Sequence, residues 1–354
     1  MRLALLAATT VATGSLLLLP PPALASDPAG GPSGGVTTIP LTNGQRGLPQ
    51  HGTAPFSLVG VSWDDPAATP DGTVEVRTRT VGGGWGPWHP LSVEPDDRPD
   101  PEGPEAARRG ATSPLWVGPS DGVEVRFTGT ALRGLRAELV DPGRDVPLRR
   151  AGGAAPRPGI VTRAGWGADE TLREPDFPYT GPVRAVFVHH TDTANDYACA
   201  DAPKVIRSIY QYHVKSSGWR DLGYNFLVDR CGTVYEGRAG GVAQPVLGAH
   251  TLGFNTDTAG VAALGRYTAD AVPQPQLDGI AKLAAWKLGL TGQPANGKVT
   301  LTSASDGSRY KKGTTATFDT ISGHRDAFNT ECPGTALYTR LPTIRTRSTH
   351  LQGR

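Results

Sequence analysis

The stretch from Asp141 to Gly159, DPGRDVPLRRAGGAAPRPG, carries charge, glycine and proline but no apolar periodicity. Such a segment has no face to bury, so it reads as a linker (141–159) between two parts that must each build their own core. Upstream, over 36–140, apolar residues alternate or run over strand lengths in FSLVGVSW, TVEVRTRT, GVEVRFTG and LRAELV, with Gly, Pro and Asp between them. That pattern predicts an all-β, sandwich-like accessory domain. Downstream, over 160–350, strand and helix signals alternate. VRAVFV (183–188) reads as a buried strand ending at His189-His190. Asp201 can cap a helix with Pro203 in its first turn, and Val205, Ile206, Ile209 and His213 follow at helical spacing. YNFLVD (224–229) and TVYEG (233–237) form a predicted hairpin, and AGVAAL (259–264) a further strand. Leu277, Ile280, Ala284 and Leu288 mark a second helix closing at Gly289, and 298–319 an added hairpin. The expectation is an α/β domain with a central mixed β-sheet flanked by helices.

The start of the chain bears on what its cysteines mean. Met1-Arg2 is followed by an apolar run from Leu3 to Leu19 and by Ala23-Leu24-Ala25, the pattern of a secretory signal peptide over 1–25. Pro20, Pro21 and Pro22 break the run short of the ~20 apolar residues a membrane span needs. A Gly-rich tether (26–35) comes next. The expected location is secreted, extracellular or cell-wall associated, with no membrane span. Lys and Arg total 35 against 33 Asp and Glu, and no basic block stands out. Nothing in that balance invites nucleic acid, and a monomer is expected.

Within the β-rich part, Val-Glu-Val-Arg occurs at 74–77 and 123–126, as two half-buried strands would have it. Pro95 to Ser113 reads as a long polar loop. Trp63, Trp85, Trp88 and Trp116 either fill a small core or form a carbohydrate platform, with the core favoured. No set of His, Cys or carboxylate groups stands out there, so no chemistry is assigned to this part.

The chemistry concentrates downstream. The chain has three cysteines, Cys199, Cys231 and Cys332, and exported cysteines normally pair, so the odd one needs a role. His189 and His190 lie at a strand end, while His324 and Cys332 bracket a loop, eight positions apart. Catalytic zinc sites use three protein ligands and keep a fourth position open. Two neutral imidazoles and one thiolate would meet that need. Equally, Cys332 can be an inert buried thiol among ordinary histidines, and spacing alone leaves both open.

Six ordered motifs add to this: RAGWGA (163–168), FVHHT (187–191), GWRDLGYNFLVD (218–229), GTVYEGR (232–238), GAHTLGFN (248–255) and GHRDAFNTECPG (323–334). Over about 157–345 the chain closely resembles the peptidoglycan recognition protein and type 2 N-acetylmuramoyl-L-alanine amidase family, most of all its secreted actinobacterial branch. The resemblance implies Zn2+ held by His189, His324 and Cys332, with Tyr224 as the catalytic tyrosine. Thr330 falls where phage members carry a lysine, so its hydroxyl can donate to an oxyanion but brings no charge. His190 is implied as a neighbour on the substrate side rather than a ligand, and His250 and Asn255 match a motif that contacts the muropeptide. His213, inside a helix, reads as packing or surface.

The implied activity is zinc-dependent hydrolysis of the amide between N-acetylmuramic acid and L-alanine in peptidoglycan. A non-catalytic peptidoglycan receptor and a zinc peptidase acting on stem peptides are the alternatives. With Cys332 on a metal, Cys199 and Cys231 are left to pair as a disulfide that ties helix to sheet, with two buried free thiols as the alternative. The β-rich part is expected to target or position the enzyme at the wall, with a plain spacer as the alternative.

Overall fold

Two long, bent strands organise the N-terminal part. In the computed structural model, which describes residues 34–41, 47–93, 97–105, 108–130, 132–143 and 157–354, this part holds seven strands. They are β1 (Gly35–Pro40), β2 (Gly47–Trp63), β3 (Val74–Thr80), β4 (His89–Leu91), β5 (Gly110–Ala111), β6 (Leu115–Phe127) and β7 (Arg136–Asp141). The expected signal peptide, the tether through residue 33 and residues 144–156 of the expected linker lie outside the described residues. The strands pair antiparallel in the order β1-β7-β2-β6-β3-β4, with β5 on β2. Register shifts interrupt the β2–β6 ladder between Leu48 and Leu58. Such irregularities bend a strand and sharpen its twist. One arm of the bent sheet supplies Leu48, Val74, Val76, Val123 and Val125 to the core, and the other supplies Val59, Val61, Ala137 and Leu139. The sandwich-like layers are therefore arms of a single hydrogen-bonded sheet.

The two Val-Glu-Val-Arg segments are neighbours in that sheet. Val76 stands opposite Val125, and Arg77 opposite Glu124. Alternation sends the valines inward and leaves Arg77 and Glu124 to pair on the other face at 2.6 Å. Trp63 and Trp116 are core residues. Trp85 and Trp88 are half-buried and stacked by arginines, with Arg126 3.6 Å from the Trp88 ring centre.

The second part contains β8 (Ile160–Val161), α1 (Arg163–Trp166), β9 (Ala185–His190), α2 (Ala202–Gln211), β10 (Phe226–Val228), β11 (Val234–Glu236), β12 (Thr258–Ala263) and α3 (Gln274–Gly289). After these come β13 (Lys298–Thr302), β14 (Thr315–Asp319), β15 (Ile321–Gly323), α4 (His324–Ala327), α5 (Thr335–Tyr338) and α6 (Leu341–Leu351). Six strands form a mixed sheet in the order β15-β9-β12-β10-β11-β8, parallel except for the β10–β11 hairpin. β9 is buried along its whole length, as a central strand covered on both faces must be. α3 and α6 cover one face, where Ile280, Leu283 and Ile344 meet Val186, Val188 and Val261. α2 covers the other with Val205, Ile206 and Ile209. The β13–β14 hairpin stands apart as a two-stranded sheet.

One expected detail differs. Asp201 does not cap α2: it ends a 3-10 turn (Cys199–Asp201) in helical backbone conformation, and its carboxylate pairs with Lys204 at 3.1 Å. The turn leads into the helix in place of a side-chain cap, while Pro203 does occupy the first turn as expected. Cys199, in that turn, is disulfide-bonded to Cys231, with Cα atoms 6.2 Å apart.

The two parts share a core. Leu58, Trp116 and Val140 of the β-rich part pack with Val205, Ile206, Ile209 and Tyr212 of the second. The Tyr212 hydroxyl donates to the Thr112 carbonyl at 3.0 Å, and the buried Arg207 donates to the Pro142 carbonyl at 2.9 Å. Gly60 allows this approach, since a Cβ there would meet the Tyr212 ring. Among the described residues, no helix is long and apolar enough to cross a membrane.

Candidate metal centre and groove

Strand register assembles the centre. β15 runs parallel to β9 with Gly323 beside Val188, so the next residue of each strand, His324 and His189, emerges at the same sheet edge. Ligand sites at the carboxyl ends of adjacent parallel strands are a general property of such sheets. α4 and the turn after it return Cys332 to that edge. The His190 amide donates to Cys332 Sγ at 3.5 Å, and Thr330 Oγ1 accepts from the Cys332 amide at 3.0 Å. The Cys332–Pro333 peptide is cis.

His189, His324 and Cys332 are all buried, and their ligand atoms lie within 4.8 Å of one another. Cys332 Sγ is 3.7 Å from His189 Nδ1. Zinc–nitrogen and zinc–sulfur bonds of ~2.0–2.3 Å at tetrahedral angles give ligand–ligand edges of about 3.3–3.6 Å. The observed spacing fits an ion of that kind. Burial lowers the pKa of His189 to about 3, which keeps its imidazole neutral, as a ligand must be. On its far side, Nε2 of His189 lies 3.2 Å from His250 Nδ1 and 3.3 Å from Thr251 Oγ1, contacts that orient the ring.

A fourth group converges from the other part of the chain. Asp97 Oδ1 lies 3.1 Å from His189 Nδ1 and 3.3 Å from His324 Nδ1. Its other oxygen, Oδ2, accepts the Tyr224 hydroxyl at 2.6 Å. Oδ1 accepts no hydrogen bond of good geometry among the described residues. A carboxylate held out of water beside two imidazole rings and a cysteine sulfur is costly, and burial pushes its pKa up against the lowering influence of His324 and the Tyr224 hydroxyl. A divalent cation among these four groups removes that cost, which is a second sign that the residues suit a metal.

The remaining expected residues divide. Tyr224 is buried, two positions before β10, with its ring centre 5.5 Å from that of His189. Thr330 shapes the Cys332 turn through the bond just described. His190 faces away from the ligand set, accepting from the Tyr267 amide at 3.2 Å with Nδ1 and lying 3.8 Å from Asp192 with Nε2. His250 sits directly behind His189. Asn255 accepts from the amides of His250 and Thr251 at 2.7 and 2.9 Å and so holds that loop. His213 is buried packing: its Nδ1 accepts from the Gly223 amide at 3.1 Å, and its ring lies 4.3 Å from Trp219.

Sequence reasoning missed Asp97. It lies in the expected polar loop, and the one signal was density: EPDDRPDPEGPE (94–105) has six carboxylates and four prolines in twelve positions. From Asp97 to Glu105 the segment runs along the second part. Asn255 Nδ2 donates to the Arg98 carbonyl at 3.2 Å, and the Gly253 amide donates to Asp100. Glu105 forms a two-pronged, fully buried ion pair with Arg238 at 2.6 and 3.1 Å and also accepts from the Arg220 amide at 2.8 Å.

The α/β sheet with two histidines and a cysteine at its edge falls within a stretch that known families match. Residues 179–335 match the N-acetylmuramoyl-L-alanine amidase family, and residues 21–156 match an "Rv3811 N-terminal galactose-binding domain-like" family. Peptidoglycan-recognition protein SC1a of Drosophila melanogaster is 30% identical over 185 residues, which cover 51% of this chain and 83% of that protein. The human N-acetylmuramoyl-L-alanine amidase is 32% identical over 189 residues, 52% of this chain but only 28% of the human protein. A solved structure of wild-type Drosophila PGRP-LB is 27% identical, covering 52% of this chain and 92% of that one, with a TM-score of 0.41. The chain belongs to the peptidoglycan recognition protein and N-acetylmuramoyl-L-alanine amidase family.

Proposed function

We propose that this chain is an exported zinc amidase that cleaves the bond between N-acetylmuramic acid and L-alanine in peptidoglycan. The observation that carries the proposal is the convergence of His189, His324 and Cys332 with the Tyr224 hydroxyl beside them. A receptor needs a groove but has no use for a buried two-histidine, one-thiolate set next to a tyrosine. Those three residues would hold the zinc, which when bound supplies Lewis acidity toward the amide carbonyl and lowers the pKa of water.

The rest falls to the chain. An amide resists hydrolysis because its carbonyl is weakly electrophilic and its leaving amine is basic. Tyr224 donates a hydrogen bond where negative charge develops on the carbonyl oxygen, a contribution of ~3 kcal/mol for a donor of this type. Thr330 braces the Cys332 turn, accepting from the Cys332 amide, and its hydroxyl serves as a second neutral donor. His250 and Thr251 keep the His189 ring in its ligating orientation. The proton for the leaving nitrogen comes from Tyr224 or from water on the substrate. The disulfide supports an oxidising, extracellular setting, and the shared core between the two parts supports positioning by the β-rich domain.

Incubation with defined muropeptides, followed by mass spectrometry with and without chelator, tests the proposal. An amidase frees the lactyl carboxyl of muramic acid and the stem's N-terminal amine, and chelation stops it. Cuts within the stem would make the chain a peptidase. No product from the full chain, nor from a variant with Asp97→Ala, would make it a receptor.

A further inference from the structure

The β-rich part does more than sit beside the α/β domain: it places a carboxylate at the metal set and lays the following eight residues along the surface that leads from it. We infer that Asp97 is a fourth protein ligand of the bound metal, and that residues 97–105 are an intrachain occupant of the substrate groove which leaves the folded chain latent. The inference rests on the amidase proposal for the identity of the groove.

Three observations carry it. The first is position. Asp97 Oδ1, at 3.1 and 3.3 Å from the two Nδ1 atoms, lies at the ligand–ligand spacing of a tetrahedral site, about 3.3 Å for nitrogen and oxygen donors, and not at the longer distance of a group that acts through a water. A carboxylate there fills the position that a catalytic site keeps open for water. The second is Tyr224. The hydroxyl that the proposed chemistry needs for the scissile carbonyl is spent on Asp97 Oδ2 at 2.6 Å. One carboxylate thus takes both the water's place and the substrate oxygen's donor.

The third is anchoring. The segment is held at Asn255, Gly253, the Arg220 amide and Arg238, and the Glu105–Arg238 pair is as buried as a core contact. Prolines at 99, 101 and 104 limit the entropy lost in holding that path. The space left beside Asp97, Tyr224 and Cys332 is a cavity of about 60 Å³. Pockets for drug-sized ligands run to roughly 300–1,000 Å³. Asp97 and Arg98 close that space together with Trp63 and residues 109–114, so a muramyl peptide reaches Tyr224 only when this side of the β-rich part moves.

The segment acts as a tethered competitor, so its release, by a wall polymer or a partner acting on the β-rich part, switches the enzyme on. A rival role, Asp97 as a catalytic base, predicts the opposite effect of removing it. Cobalt substitution gives a readout that does not depend on turnover. In the full chain, Co(II) bound by His189, His324, Cys332 and Asp97 should show a thiolate charge-transfer band and a visible spectrum that azide leaves unchanged. In Asp97→Ala the band should persist while azide shifts the visible spectrum, with at least tenfold stronger apparent binding than in the unaltered chain. Asp97→Asn, which keeps the shape but weakens metal ligation, should fall between them.

With zinc, Asp97→Ala should cleave a soluble muropeptide at least tenfold faster in kcat/KM. Equal azide binding by the unaltered chain and Asp97→Ala would overturn the ligand assignment. Lower activity in Asp97→Ala and Asp97→Asn, with zinc retained, would overturn latency and make Asp97 part of the machinery. Absence of the thiolate band in every form would instead sink the metal-centre proposal on which this inference rests.

Discussion

Tyr224 and Asp97 are 127 positions apart in sequence, yet the tyrosine hydroxyl donates to the carboxylate at 2.6 Å. This bond gives Tyr224 two partners in turn, the chain's own carboxylate and then the substrate carbonyl. Tyr224→Phe therefore has opposite consequences: it loosens the 97–105 segment and it deletes a donor needed for turnover. The second effect is isolated in the Asp97→Ala background. There, Tyr224→Phe should keep its zinc and its fold while turnover falls about 10²–10³-fold, the usual cost of one oxyanion donor. Undiminished turnover in the double variant would remove Tyr224 from the chemistry.

The metal set makes a sharper prediction. The purified chain should carry about one zinc, as expected for a catalytic site of this kind. His189→Ala, His324→Ala and Cys332→Ala should each abolish stoichiometric zinc in elemental analysis. Because Asp97 belongs to a different part of the chain, Asp97→Ala should weaken zinc binding rather than eliminate it. Full zinc in Cys332→Ala would take that residue out of the centre.

β15, whose parallel pairing with β9 brings His324 to the candidate centre, is too short to show a pattern of its own, but the other candidate ligands carry local signals: His189 ends an apolar stretch and Cys332 is the odd cysteine of three. The hairpin at 226–236 and the helix closing at Gly289 were legible for the same reason, through period and turn residues. Asp97 was not. Its role depends on how the β-rich part docks, which is decided by Leu58, Trp116 and Val140 meeting α2, and no pattern within either part specifies that contact. Asp201 misled in a smaller way: a good cap residue before Pro203 was overridden by the 3-10 turn that carries Cys199 into its disulfide.

That disulfide closes a loop between positions 32 apart, joining the entry of α2 to the β10–β11 turn. In the chain-entropy view a loop of this size is worth ~3–4 kcal/mol. Cys199→Ser with Cys231→Ser should lower the midpoint of thermal unfolding by several degrees while leaving zinc content intact. Peptide mapping of unreduced protein should recover the two cysteines as one linked peptide. Recovery of both as free thiols would contradict the bridge.

Docking between the two parts can be tested at Gly60. A Cβ there meets the Tyr212 ring, whose hydroxyl is fixed on the Thr112 carbonyl. Gly60→Ala should destabilise by about 1–3 kcal/mol, the usual cost of overpacking. Because the contact lies in the core that seats the β-rich part, the same change should also loosen the 97–105 segment. Limited proteolysis should then cut near that segment faster than in the unaltered chain. Unchanged stability and unchanged cleavage would show that the seam is more yielding than its packing indicates.

Acid sensitivity follows from His213. Its ring is buried against Trp219, its Nδ1 accepts from the Gly223 amide, and burial, aided by the nearby Arg238 charge, lowers its pKa to about 3. In the unfolded chain the same group titrates near ~6.5. Between these values the unfolded chain binds a proton that the folded chain excludes. Stability is therefore full above about pH 6.5 and falls as the pH drops toward 3, by up to ~1.4 kcal/mol per pH unit for this one group. His213→Asn keeps an acceptor for the Gly223 amide but cannot take up a proton. The variant should lose some stability at pH 7 through poorer packing against Trp219. Its stability should nevertheless decline less steeply than that of the unaltered chain in urea unfolding measured at pH 6, 5 and 4. His190, buried and lowered to about 4, acts in the same direction in both proteins and so cancels in the comparison. Identical slopes for the two would mean that His213 is not held neutral in the folded state.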